Sequence, residues 1–184
     1  MKKYLRVVPG ILLLSTAAFA QSGDLKQVKG LAEECIRAFV ADDFDKVADL
    51  TYPKVVEMMG GKEKTALFFQ VVKLEMEAQG MEAGSFTASE PKRAVRVGTK
   101  LLVIVPYTLK MKWWGEAVLT QRSYYLGVSD VMEKKWTFID GTTLDKMGLK
   151  QILPEAVGRI ALPKQQKPFF EKNLKGAGGA KTEN

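Results

Sequence analysis

Asp140 is the residue best placed to do chemistry, with Tyr107 and Tyr124 as the phenols that could work beside it. A carboxylate among apolar groups has its ionised form disfavoured and becomes a stronger base. A buried phenol can donate a hydrogen bond to a developing oxyanion. Asp140 closes the run Trp136-Thr137-Phe138-Ile139-Asp140. If that run is a strand, two-residue alternation puts Asp140 on one face with Trp136 and Phe138. A simpler reading competes: Asp140-Gly141 begins a turn, with the carboxylate bonded to its own backbone. Tyr124 and Tyr125 point to opposite strand faces, so at most one lines any single cavity, and the same holds for Trp113 and Trp114. Arg122 facing inward would suit a carboxylate or phosphate ligand, whereas facing outward is the default for arginine on a sheet. The candidate ligand contacts are therefore Tyr107, Trp113, Arg122, Tyr124, Trp136, Phe138 and Asp140. Aromatic residues are also common in strands for packing alone.

What is missing narrows the chemistry further. The chain has no histidine, which removes the Ser-His-Asp triad, the Cys-His pair, the imidazole base and any His-ligated metal. It has one cysteine, so neither an intrachain disulfide nor a CxxC pair can form. That residue, Cys35, lies four residues from both Leu31 and Phe39, as a small buried core residue on a helix would. Asp42, Asp43, Asp45 and Asp49 form an acidic cluster without the spacing or glycine of a calcium loop, and helix capping explains them better. Lys110-Met111-Lys112-Trp113-Trp114 mixes cations with aromatics, which could contact a polyanion or headgroup. Lysines on one strand face more simply keep an edge solvated. No cofactor and no metal are expected.

The 184 residues are 46% apolar and 27% charged, enough for one domain with a sizeable core. Lys2, Lys3 and Arg6, an apolar stretch from Ile11 to Phe19, and the small residues of Ala18-Phe19-Ala20 form the three-part pattern of a secretory leader. Cleavage is expected before Gln21. The stretch is shorter than the ~20 residues needed to span a bilayer, and no cysteine follows it for lipid attachment. A periplasmic or secreted protein without a membrane span is expected. The formal charge of +7 includes three cations of that leader. Most of the remaining excess falls from Lys164 onward, so the body of the chain is near neutral and no nucleic-acid face is expected.

Residues 25–41 carry Leu25, Val28, Ala32, Cys35, Ile36 and Phe39 at helical spacing. Asp42 or Asp43 caps a second, short helix that Pro53 ends. Gly60-Gly61 makes a turn. A third helix covers 62–79, with Leu67, Phe68, Val71, Val72 and Leu74 as its broad apolar stripe and Gly80 as its stop. Strands follow: 84–90, 94–97 continuing past Gly98 to 112, 116–129 and 134–140, joined by short connections as an antiparallel meander. Helices first and strands second argue α+β rather than alternating α/β. Leu101–Val105 is apolar on both faces, so both sides of the sheet need cover. The second side could be covered by Leu149, Ile152, Leu153, Val157, Ile160 and Leu162 folding back, or by a second copy. Residues 173–184 read as disordered.

Residues 38–61, AFVADDFDKVADLTYPKVVEMMGG, and the run 136–141, WTFIDG, resemble the nuclear transport factor two-like, SnoaL-like superfamily. The positions that carry the likeness are Phe39, Asp42-Asp43, Leu50, Tyr52 and Pro53, over about 120 residues. The resemblance implies a cone: N-terminal helices packed on a strongly bent antiparallel sheet, enclosing a cavity in residues 21–163, with 164–184 as a basic extension. It further implies dimerisation through the outer sheet face. Its enzymes use a pocket Asp with Tyr or His, and the His version is absent here. The expected function is a non-catalytic, exported module that binds a small apolar or amphipathic ligand or a partner. The alternative is a cofactor-independent isomerase, dehydratase or cyclase. An envelope assembly protein with a vestigial cavity is a third reading. A filled cone with a large exposed apolar patch would favour interaction alone.

Overall fold

A computed structural model describes residues 22–114, 117–133 and 135–171. The expected leader and residues 173–184, expected to be disordered, lie outside the described residues. The architecture is α+β, with helices first and an open six-stranded antiparallel sheet after them.

α1 spans Ser22–Val40 and buries Val28, Ala32, Cys35 and Ala38. α2 spans Phe44–Leu50, and its cap is Asp43, whose side chain accepts from the Lys46 amide at 3.1 Å. Asp42 instead takes a left-handed turn conformation with φ 62°. Pro53 does not terminate α2, which stops at Leu50. It opens a separate helix, α3 (Pro53–Met58), where its missing N–H costs nothing and its fixed φ suits the first helical position. Gly60 and Gly61, at φ 91° and 102°, make the turn into α4 (Lys62–Ala78).

The strands are β1 (Met81–Ala88), β2 (Ala94–Val97), β3 (Lys100–Trp113), β4 (Ala117–Asp130), β5 (Trp136–Asp140) and β6 (Phe169–Phe170). Their main order is β1-β3-β4-β5. The expected single strand from 94 to 112 is instead a hairpin. Gly98, at φ 60°, reverses the chain so that Val97 pairs with Lys100. β1 and β2 then lie along different stretches of β3, β1 on residues 107–113 and β2 on residues 100–103. The register of β1 slips between Ala83 and Ser85. At Gly84 a Cβ would come within 2.7 Å of the Lys110 carbonyl oxygen, so the slip needs glycine.

Two cores lie on the two faces of this sheet. On the concave side Val103, Val105, Tyr107, Tyr125, Trp136 and Phe138 pack against Val28, Ala32 and Cys35 of α1 and against Val47 and Leu50 of α2. On the other side Leu102, Leu126, Val128 and Ile139 pack against Leu144, Leu149, Leu153 and Ala156. Leu149 comes from α5 (Lys146–Ile152), Ala156 from the turn of 3-10 helix that follows it (Pro154–Ala156), and Leu153 from the junction between them. This accounts for the strand that is apolar on both faces. The folded-back segment, rather than a second copy, is what covers Leu102, Leu126, Val128 and Ile139 on the outer sheet face.

Candidate functional site

The concave face is where a carboxylate and a phenol could meet, and the alternation of β5 does bring Asp140 to it. Tyr125, opposite Asp140 in register, and Tyr107 on β3 lie on the same side. Tyr107 donates to Asp140 Oδ1 at 3.4 Å, a long contact. The same oxygen accepts from the Thr142 amide at 2.8 Å, so Asp140 also starts the turn as the simpler reading has it. Asp140 is exposed at its strand end, but the tyrosines crowd it. Loss of hydration pushes its carboxyl above the ordinary value, against the hydrogen bonds from Thr142 and Tyr107 that pull it down. Cys35 adjoins Tyr125 in hydrogen-bonding contact, and burial pushes its thiol up to about 12. It is therefore a neutral thiol at physiological pH and a poor nucleophile. Burial, then the charge of Asp140, raises Tyr107 as well.

The acid–base linkage has a definite sign. Because the pKa of Asp140 is raised on folding, its ionisation disfavours the folded state above that raised pKa, and the penalty vanishes below the ordinary 3.8. Asp140→Asn keeps an acceptor oxygen for Thr142 and Tyr107 and removes the charge. The variant is expected to melt at the same temperature as the parent or higher at pH 7, with the difference shrinking toward pH 3.5. Thermal melts across that range test it; a variant that loses stability as pH rises would show the carboxylate to be favourably held.

A reacting pair needs space for a substrate, and here the space is occupied. Tyr107, Tyr125, Trp136 and Phe138 are 3–6% exposed. Their rings pack against one another, with centroids 5.0 Å apart for Tyr107 and Tyr125 and 5.6 Å for Tyr125 and Phe138. Trp136 and Phe138, expected to wall a cavity, fill it. Gly127 leaves room for them, since a Cβ there would lie 3.4 Å from the Phe138 ring.

The other candidates do not join this group. Tyr124 is on the opposite face, where its hydroxyl donates to the Leu144 carbonyl at 3.4 Å. Arg122 is exposed, with its guanidinium 5.3 Å from the Phe169 ring centre. Trp113 stacks on Phe170 at 4.6 Å and donates its indole N–H to the Gln79 carbonyl at 2.9 Å, so it ties strand to helix end. No group of acidic or sulfur ligands suited to a metal occurs among the described residues.

Two clefts open elsewhere. One, of about 310 Å³, lies between α2–α3 and the strand ends, and is lined by Tyr52, Val56 and Thr137 among others. Two of its three lysines are engaged, Lys62 with Asp49 at 2.8 Å and Lys100 with Glu155 at 3.0 Å; the third is Lys135. The second, of about 250 Å³, runs between the start of α2 and α4, past Phe44, Gln70 and Leu74.

The largest departure from expectation is α4 itself. Of the expected stripe, Leu67, Phe68, Val71 and Leu74 face outward, at 58%, 50%, 44% and 56% exposure, and only Val72 turns inward. The face turned to the protein carries Thr65, Phe69, Val72 and Met76 instead. α4 thus has two apolar stripes, and only the less conspicuous one is used inside the described fold. A contiguous apolar patch of this kind on a surface helix marks a contact site. Among the described residues no helix is long and apolar enough to cross a membrane.

Comparison with models of known families, with curated proteins and with solved structures gave no match.

Proposed function

We propose that this chain is an exported, non-catalytic interaction module of the nuclear transport factor two-like kind, which works through the outward face of α4. The observation that carries this reading is the inversion just described: aromatic side chains fill the concave interior, and a four-residue apolar stripe stands in solvent. Leaving Leu67, Phe68, Val71 and Leu74 in water forgoes their burial, worth about 1.5–3 kcal/mol for each fully buried side chain. A partner that covers them recovers it. The leader pattern in residues 1–20 supports export.

Native mass spectrometry of the protein purified without denaturation from its exported compartment tests the reading. Each subunit is expected to carry no retained small molecule. A reproducible excess mass, lost on denaturation, would mean that the interior opens for a ligand and would overturn it.

The second reading is a cofactor-independent isomerase, dehydratase or cyclase. It draws on one observation, the Tyr107–Asp140 contact at 3.4 Å. It needs the packed tyrosines to part and admit a substrate, whereas the interaction reading needs no rearrangement.

A further inference from the structure

We propose that α4 packs antiparallel against α4 of a second copy of this chain, a proposal that rests on the interaction reading and names its partner. Three features of the helix point to this occupant.

The first is spacing. Leu67, Val71, Leu74 and Ala78 follow one another by four, three and four residues, the alternation of the apolar seam in a two-stranded coiled coil. At 1.5 Å per residue the 17-residue helix offers a seam of roughly 25 Å. The opposite face is already committed inward through Thr65, Phe69, Val72 and Met76, so the seam is the one face free to pair.

The second is charge. Helix ends are stabilised by acidic residues at the start and basic residues at the finish. α4 has no basic residue in its last turn, which follows Glu75 and contains Glu77, and its first turn holds Lys62 and Lys64 beside Glu63. Lys62 is paired with Asp49, and Lys73 with Asp42. Lys64, Glu75 and Glu77, like Glu63, are exposed and make no ion pair among the described residues. An antiparallel neighbour related by a two-fold axis near Val71 sets Lys64 of each copy beside the acidic end of the other. It also sets each helix start, the positive end of its dipole, beside those carboxylates. A parallel neighbour would put like charges together at both ends.

The third is symmetry. One self-complementary stripe on one helix is what an isologous two-fold contact requires, and it leaves no second patch to propagate a chain of copies. The groove beside Leu74, between α4 and the start of α2, extends the contact past the helix.

Sedimentation equilibrium of the protein, with charge-reversed variants, tests this. The parent is expected to have twice the subunit mass. Val71→Glu is expected to give a folded monomer, since Val71 is 44% exposed and its loss does not open the fold, with a melt lowered only by the association it no longer has. Lys64→Glu is expected to raise the dissociation constant about tenfold, because the change acts at two symmetric contacts. Adding Glu75→Lys and Glu77→Lys should restore it. A dimer indifferent to Val71→Glu, or a charge swap that restores nothing, overturns the antiparallel α4 pair. A monomeric parent also overturns it, and an apolar fluorescent dye then separates the two ideas. Dye binding abolished by Val71→Glu would leave α4 as a contact surface for another protein. No dye binding would mean that the stripe is covered by this chain itself, and the interaction reading would fail too.

Discussion

Phe138→Ala is expected to lower the free energy of unfolding by about 3–5 kcal/mol, the usual cost of emptying a well-packed aromatic site. Phe138 is 3% exposed and sits where three elements meet. Its ring packs on Tyr125 and on the space left by Gly127. Its carbonyl accepts from the Tyr52 amide at 2.9 Å, which fastens the start of α3 to β5. Truncation leaves that backbone bond in place, so the whole loss is packing. With a total stability of about 5–15 kcal/mol, the variant would be marginal at 25 °C. Its midpoint would fall by about 10 °C for a chain of this size. Urea unfolding followed by tryptophan fluorescence measures it, with a lower midpoint and an unchanged slope as the expected pattern. The result also bears on function. A loss below about 1 kcal/mol would mean that the concave face is not filled, and a cavity for a ligand would return.

Gly141→Ala is expected to cost about 3 kcal/mol, although it adds a single methyl group. A Cβ at this position would lie 2.6 Å from ring atoms of Tyr124 and 2.6 Å from the Tyr124 carbonyl oxygen. The ring could rotate away, but the carbonyl cannot, because it accepts from the Gly141 amide itself at 2.8 Å. The methyl therefore forces apart the backbone contact that ends the β4–β5 pairing. Gly30→Ala is the matched control. It lies within α1, and a Cβ there meets nothing within 4 Å. That substitution should stabilise the chain by about 0.5–1 kcal/mol through helix propensity. Thermal melts of the two variants are expected to move in opposite directions. Equal shifts would mean that glycine is replaceable at both positions for the same reason, and the close approach at Gly141 would be wrong.

The helical half was legible wherever local chemistry decides structure. The cap at Asp43, the Gly60-Gly61 turn and the stop near Gly80 all follow from what those residues do to the nearby backbone. Pro53 was misplaced because proline punctuates in two ways, ending one helix or starting the next, and only the register of Tyr52 against Phe138 decides between them. Gly98 was read through rather than as a reversal. A glycine between two β-like runs fits either a bulge or a hairpin, and the choice belongs to pairing across the sheet.

The candidate site was half legible. Two-residue alternation placed Trp136, Phe138 and Asp140 on one face correctly. It could not say that Tyr107 shares their side and Tyr124 does not, because that depends on which strands are neighbours. Nor could it say that the interior is full, which depends on ring volumes summed over three strands and two helices. Alternation showed that only one of Tyr124 and Tyr125 could join Tyr107; Tyr124 was carried forward, and it is Tyr125 that does so. α4 is the clearest case. Its apolar residues occupy two sides of the helix, and a count of hydrophobicity selects the richer side. The fold buries the other, and only a view of what lies beneath the helix separates them.

The outer layer of the sheet carries a consequence for the order in which the molecule can be completed. Leu102, Leu126 and Ile139 find their cover in Leu144, Leu149, Leu153 and Ala156, which follow every main strand in the chain. β6 then returns to the same edge of β4 that β5 uses, with Phe169 opposite Thr120 and Glu171 reaching the Thr120 hydroxyl at 2.8 Å. A ribosome releases the N-terminus first. The strands thus emerge with one greasy side bare, and the stretch that shields it comes later in the chain. A message cut short before residue 144 is expected to yield a product that clumps rather than folds, its bare sheet suited to the grip of a chaperone.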